Sequence, residues 1–518
     1  MEKKNVINII NFVRGNDHRE TPEELLDTFR RQVEMCADYG MPCTFLMQYD
    51  AFVKPEYAEL LTDADEKTEV GVWIEMAKPL VEKCGIKWNG RPGLEWDWYV
   101  NPDMLSAYTR PQREKLIDEL MEKFREVFGY YPKSAGSWII DSYSMEYMQK
   151  KYGIKAFCIC REQFGTDGYT LWGGYYNQGY FPSKKNMLIP AQTKEQQINA
   201  PVFRMLGIDP MHQYDMALDE NYNCPEIQAL VATMEPTCGV GKNEKWVDWY
   251  LNSNFEQESM SFAYTQIGQE NSFTWKNFGE ALLMQMDKVQ AGYKAGKWSV
   301  MTLEATGEWF SSRYSATPAT SITALKDFGG GSDQTVWYDC RNYRANMHIK
   351  NGCPVLRDIF LFDESYTDRY YDIPATGNSA DFDALPLIDG CRWGGDGINS
   401  VLRFVKKGTN EGASGSIIAS EALNDNTLRV TLQICGEKVY CIFNEDKISI
   451  EFSGEKYDLL LGYKNLKETA ITEITSSSVI YGHNSMTYGI KASCGIKAEQ
   501  NGYRITPDKN SLEIGFIR

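Results

Sequence analysis

The sequence predicts an α/β protein, a (β/α)8 barrel with a C-terminal antiparallel β-sandwich-like domain. Eight short apolar runs recur through roughly the first 310 residues. Each has the length of a buried strand and is apolar on both faces, as parallel strands sheathed by helices are. Helical stretches separate the runs, and eight strand-then-helix units in some 320 residues fit a barrel with insertions better than an open sheet. Beyond about residue 370 long helical periodicity stops, and short strand-like runs alternate with Gly, Asn and Asp. A chain of 518 residues is also too long for one compact core. The expected division is 1–320 as catalytic barrel, 321–369 as a connecting extension packed on it, and 370–518 as the β-domain.

In chain order, the first run is Val6–Phe12, followed by a helix whose start is well signalled: Thr21 caps it, Pro22 suits its first position and Glu24 completes a capping box. Leu25, Phe29 and Val33 share a face, and Gly40 ends the helix before the second run, Cys43–Met47. A helix over Pro55–Leu61 leads to Val70–Ile74, a short helix near Pro79–Cys84, an aromatic insertion over Lys87–Tyr108 and a long helix to Phe128. Ser134–Ile140 precedes a helix over Ser144–Tyr152, and Ala156–Cys160 precedes some 40 residues rich in Gly, Tyr, Trp and Asn. Loops of that length are usually functional or disordered, and this one is too aromatic for disorder. Val202–Leu206, helices at Pro225–Met234 and Lys245–Leu251, Ser261–Tyr264, a helix over Trp275–Ala295 and Trp298–Leu303 complete the barrel.

Composition narrows the function. A net charge of −17 argues against nucleic acid as partner, because phosphate binding relies on a basic surface. The 13 cysteines are scattered, and the closest pair, Cys158 and Cys160, lies in one core strand, a poor setting for a disulfide or zinc. No segment approaches a membrane span and no leader is visible, so a cytoplasmic, bacterial-type enzyme is expected, with homo-oligomerisation left open. With four histidines, no HExxH or His-rich cluster forms, and phosphate-loop, dinucleotide and serine-elbow motifs are missing. No metal or cofactor is expected.

In such a barrel the chemistry sits at the C-terminal strand ends. Those ends carry Asp17, Gln48, Tyr49, Asp50, Trp73, Glu75, Trp138, Asp141, Arg204, Gln269, Glu270, Asn271 and Glu304. Sugars offer apolar faces to Trp and Tyr and hydroxyl edges to acids, amides and arginines, and glycosidic hydrolysis needs two carboxyl groups. Glu270 is the leading catalytic candidate because its neighbours, TQIGQENSFTW, suit a sugar site better than a helix cap. Asp17, Asp141, Glu304 and Glu75 complete the pool. Tyr49, Trp73, Trp138 and Trp172 are the expected stacking walls, and Arg204, Gln269 and Asn271 the expected hydroxyl or carboxylate contacts.

The order NDHRE, PCTFLMQYDAF, EVGVWIEM resembles the glycoside hydrolase/deacetylase barrel superfamily, over the first 160 or so residues. In its deacetylases an aspartate after strand one and two histidines four residues apart after strand three bind a metal. Asp17 stands at the aspartate position and Glu69-Val70-Gly71 matches the strand-three opening, but Trp73 and Ala77 hold the histidine positions. The resemblance therefore implies the scaffold and a sugar cleft without the metal. The expected function is an exo-acting glycoside hydrolase using strand-end carboxylates on a carbohydrate substrate. The alternatives are a sialidase-like hydrolase of acidic sugars, served by Arg14, Arg161, Arg204, Arg341 and Arg344, or a non-catalytic carbohydrate-binding barrel.

Overall fold

The structure, a computed structural model, describes residues 4–62, 64–166, 168–212, 232–237, 239–391, 400–454, 456–463 and 469–518. The apolar runs become strands β1 (Lys4–Val13), β2 (Cys43–Met47), β3 (Thr68–Trp73), β4 (Ser134–Gly136), β5 (Ala156–Cys160), β6 (Val202–Met205), β7 (Phe262–Ile267) and β8 (Ser299–Met301). Seven pair in parallel in the order β7-β1-β2-β3-β4-β5-β6. β8 completes the nearly closed eight-stranded barrel from an unexpected position. It pairs with Val6–Asn8, whose other edge β7 already occupies, so it lies beneath β2, which pairs with Ile10–Val13. The seam between β6 and β7 is closed by side chains: Gln178 Oε1 accepts from Tyr264 N (2.7 Å), and Asn254 joins Gln178 Nε2 (3.2 Å) to the Tyr264 carbonyl (3.0 Å).

The helices follow the sequence signals. α1 (Pro22–Tyr39) begins at the Thr21–Glu24 capping box and ends at Gly40 in the left-handed region. α2 (Pro55–Thr62), α3 (Lys78–Lys83), α4 (Arg110–Phe128), α5 (Ser142–Tyr152), α6 (Glu244–Leu251), α7 (Trp275–Lys294) and α8 (Leu303–Arg313) sheathe the barrel. The helix expected at Pro225–Met234 lies mostly outside the described residues, and Thr233 near its end makes a β-bridge with Ile208. Among the described residues no helix is long and apolar enough to cross a membrane.

Two large antiparallel sheets form most of the rest, beside a small sheet of Gln163–Thr166, Tyr169–Trp172 and Ala380–Asp383. One large sheet starts at Thr320–Ala324 and runs through Gln334–Asp339, Tyr343–Lys350 and Cys353–Leu361 before recruiting later strands; the other spans Gly415–Asn424 to Ser511–Ile517. The stretch expected as a connecting extension, 321–369, thus supplies most of the first sheet's opening strands, because its aromatic and β-branched residues pack on the barrel as strands. The aromatic segment after β5 is a packed intermediary between barrel and sheet. Tyr176 stacks on Trp337 at 3.6 Å between centroids, and Tyr175 Oη donates to the Pro318 carbonyl (2.8 Å).

Candidate active site

Strand parity decides which side chains enter the barrel. Val6, Ile10 and Phe12 of β1 share the inner apolar cluster with Leu46, Trp73, Cys158, Phe203, Met205, Phe262 and Tyr264. Side chains two apart share a face, so the inner row of β1 continues from Phe12 to Arg14 and that of β3 from Trp73 to Glu75. At this mouth the Arg14 guanidinium is the hub. Its Nε and Nη2 donate to Glu75 Oε2 and Oε1 (2.9 and 2.8 Å), and its Nη1 lies 2.8 Å from Glu270 Oε2 and donates to Ser272 Oγ (3.1 Å). Asp17 Oδ2 is 3.9 Å from Nη1, and both Asp17 oxygens accept from Arg19 (2.9 and 2.5 Å). The Trp96 ring covers the Arg14 guanidinium at 4.1 Å, and its indole N–H donates to Asp103 Oδ1 (3.1 Å). Outside it, His18 stacks on Trp98 at 4.9 Å and Arg91 lies 4.1 Å over the same ring.

The surrounding loops fix these groups. Asn271 grips the Arg14 backbone from both sides, accepting from its N–H and donating to its carbonyl (2.9 Å each). Gly15 presses on the following loop so closely that a Cβ there would fall 2.3 Å from the Asp50 carbonyl oxygen, and Asp50 Oδ1 accepts from its N–H (3.0 Å). Gly268, at φ +124°, carries β7 past Ile10 towards Gln269 and Glu270, where a Cβ would meet the Ile10 carbonyl at 1.8 Å. Gln269 then accepts from Glu270 N (2.8 Å) and donates to Glu235 (3.3 Å).

Environment separates the carboxyl groups. Burial pushes Glu270 above the ordinary carboxylate range, with Glu75 adding to the rise while Arg14 and Arg19 oppose it. Its Oε1 accepts from Ser272 Oγ (2.7 Å), and among the described residues its Oε2 has no hydrogen-bond donor in line despite the nearby guanidinium. Burial alone would also raise Asp17, but Arg19 and Arg14 hold it below the usual range. Asp103 is driven well up by burial and then by Glu75, and burial lifts Asp50 to about 6.

The structure thus brings Asp17, Glu75, Glu270, Gln269 and Asn271 together, and Trp73 and Trp138 lie just beneath, with ring centroids 5.2 Å apart. It does not bring the others there. Asp141 caps α5 through Ser144 N (3.0 Å) and pairs with Arg113 (2.9 Å). Glu304 sits at the opposite, N-terminal end, its N–H bonded to Glu69 Oε2 (2.9 Å) at the start of β3, because β8 stops level with Asn8 and α8 begins at once. Tyr49 reaches outward to Glu119 on α4 (3.4 Å). Trp172 is buried against the first sheet with its N–H on Asp389 (3.1 Å), and Arg204 pairs with Glu162 (3.4 Å) beneath the aromatic segment. The other arginines of the acidic-sugar alternative are held by separate acids rather than gathered on Glu75 and Glu270: Arg161 is on Glu235, Arg341 on Glu445, and Arg344 on Asp358 and, with Arg204, on Glu162. The hub role of Arg14, and the parts of Arg19, Trp96, Asp103 and Ser272, are not evident from residue type. Parity counted from Phe12 and Trp73 is the signal that points to Arg14 and Glu75.

Fold and mouth together define a (β/α)-barrel protein with a buried carboxylate–arginine centre at the C-terminal strand ends and a C-terminal antiparallel β-sheet region. A family model described as a domain of unknown function with solved structure (DUF3863) matches residues 28–336, more than half of the sequence, and the chain belongs to that family. Among solved structures the chain is similar to a candidate glycoside hydrolase/deacetylase from Parabacteroides distasonis, at 13% identity and a TM-score of 0.54, over 75% of this chain and 91% of that one. It also matches a candidate polysaccharide deacetylase from Mycobacterium smegmatis, at 12% identity and a TM-score of 0.36, over 60% and 91%. Among curated proteins, none matches the sequence. At these identities the first likeness speaks for the fold alone.

Proposed function

We propose that this protein is an exo-acting glycoside hydrolase in which Glu270 is the general acid and Glu75 the base or nucleophile. The observation that carries this is the meeting of two carboxyl groups on one guanidinium, Arg14, at the catalytic end of the barrel. Glycosidic cleavage needs a protonated acid and an ionised partner in different environments. Burial favours the protonated form of Glu270, and its in-line-free Oε2 suits proton delivery to the leaving oxygen. Glu75, held bidentate by Arg14, is aimed to act on the anomeric carbon directly or through water. Asp17, held ionised by Arg19, orients Arg19 rather than moving a proton.

The residues do not fit the metal that deacetylases of this fold hold. Asp17 spends both oxygens on Arg19, Trp73 offers an indole N–H where a lone pair is needed, and Ala77 offers no donor atom. A second reading, a carbohydrate-binding barrel without turnover, is favoured by the depth of the centre, since the Glu75 and Glu270 side chains are only 1% and 3% exposed. One variant separates them. Glu270→Gln should reduce hydrolysis of a panel of aryl glycosides by about 10²–10⁴-fold while the protein stays folded. Turnover retained in that variant removes Glu270 from the mechanism, and sugar binding by a wild type that turns nothing over supports the binding barrel.

A further inference from the structure

Directly beneath the carboxylates, the barrel interior holds polar atoms that no described residue satisfies. Both amide atoms of Gln48 and the indole N–H of Trp73 are buried without a partner among the described residues, and the two residues are 0% exposed. Register places them side by side. Val13 pairs with Met47 and Met47 with Val72, so Arg14, Gln48 and Trp73 are consecutive neighbours across β1, β2 and β3. Leu46, two residues before Gln48, belongs to the inner cluster, which turns the Gln48 side chain to the interior as well. Trp73 is fixed there by Phe12 at 4.3 Å and by an edge-on contact with Trp138.

We infer that Gln48 and Trp73 form the recognition subsite for the sugar ring that Glu75 and Glu270 act upon, reading a neutral hydroxyl. This rests on the proposal that the mouth is a sugar site. A buried amide left unpaired costs roughly 1–3 kcal/mol, so fold stability alone gives no reason to keep it. The donor and acceptor pattern selects the ligand. Two donor groups, the amide NH2 and the indole N–H, and one carbonyl acceptor match a hydroxyl, which accepts and donates at once. A carboxylate would leave the amide oxygen facing another acceptor, so the subsite suits a neutral rather than an acidic ring. Deeper in the shaft, Gln266 and Tyr264 Oη are also unpartnered, but Gln266 pairs in register with Asn8, six positions before Arg14 on β1, which suits ordered water rather than the reacting sugar.

The test uses the full chain carrying Glu270→Gln, so that binding is read without turnover, with free neutral hexoses and their monodeoxy forms followed by calorimetry. Adding Gln48→Met, or in a second variant Trp73→Phe, should weaken hexose binding about 10- to 100-fold. One monodeoxy sugar should show the same loss against Gln48 and little further loss against Gln48→Met, and Gln48→Met should unfold at the same or a higher temperature. Equal hexose binding with and without Gln48 means ordered water only and overturns the subsite. So does a lowered unfolding temperature with binding unchanged, the mark of a structural role, and so does failure of every neutral hexose to bind. Turnover surviving Glu270→Gln refutes the catalytic assignment instead, and leaves the binding comparison decisive for Gln48.

Discussion

Arg14 is shared by two buried carboxylates, so replacing it with methionine tests the electrostatics of the centre directly. The change keeps most of the stem under Trp96 and removes three nitrogen–oxygen contacts of 2.8–2.9 Å. Removing one partner of a buried ion pair costs about 3–5 kcal/mol because the remaining charge is stranded. The cost should depend on pH, with a definite sign. Glu270 already has a folded-state value raised above its unfolded one, so its contribution is fully present below the unfolded glutamate value of about 4.3 and is lost as pH rises through the folded value. Without Arg14 and its opposing attraction Glu270 rises further, so the gap between wild type and Arg14→Met should widen from pH 4.5 to pH 7.5. Denaturant unfolding of the full chain at several pH values measures this. A loss under about 1 kcal/mol, or one that does not change with pH, would show that Arg14 is not what holds Glu75 and Glu270 in place.

Glu304→Gln should leave glycoside turnover within about twofold of wild type, since the residue lies at the N-terminal end of the barrel, away from the catalytic face; a loss comparable to that of Glu270→Gln would contradict the assignment of the mouth. Asp50 has a folded value near 6, above the unfolded value near 3.9, so the stability it contributes at low pH is lost as pH rises through 6. Asp50→Asn should therefore gain on wild type by about 2 kcal/mol between pH 4 and pH 7.5, read from unfolding midpoints, and a constant difference across that range would refute the shift.

The barrel was legible because strands buried on both faces must be apolar throughout, and nothing else in the first 310 residues competes with that signal. Helix starts were equally plain where a cap and its reciprocal acid stand three residues apart, as at Thr21 and Glu24. What could not be read was the placement of β8. Its run, Trp298–Leu303, looks like any other, yet only Ser299–Met301 pairs, low on β1, and α8 follows immediately. That one displacement places Glu304 away from the Arg14 centre.

The site shows the same division. Sequence places an acid after almost every strand, and residue type cannot tell an acid that caps a helix, as Asp141 does, from one that enters the barrel. Parity can, once a strand's inner row is known, because Arg14 and Glu75 are each two residues beyond an inward aromatic. The hub role of Arg14 is hidden for a further reason. An arginine is usually read as a surface group or a substrate clamp, whereas here it is buried and, with Arg19, balances the acids of the centre. Its two carboxylate partners come from segments 195 positions apart, 75 and 270, and the contact exists only because β7 lies directly beside β1. The strand order that displaced β8 is therefore what brings Glu270 to Arg14. If β8 stood between them, Glu270 would lie one strand further from the guanidinium, and the two carboxyl groups could not meet on it.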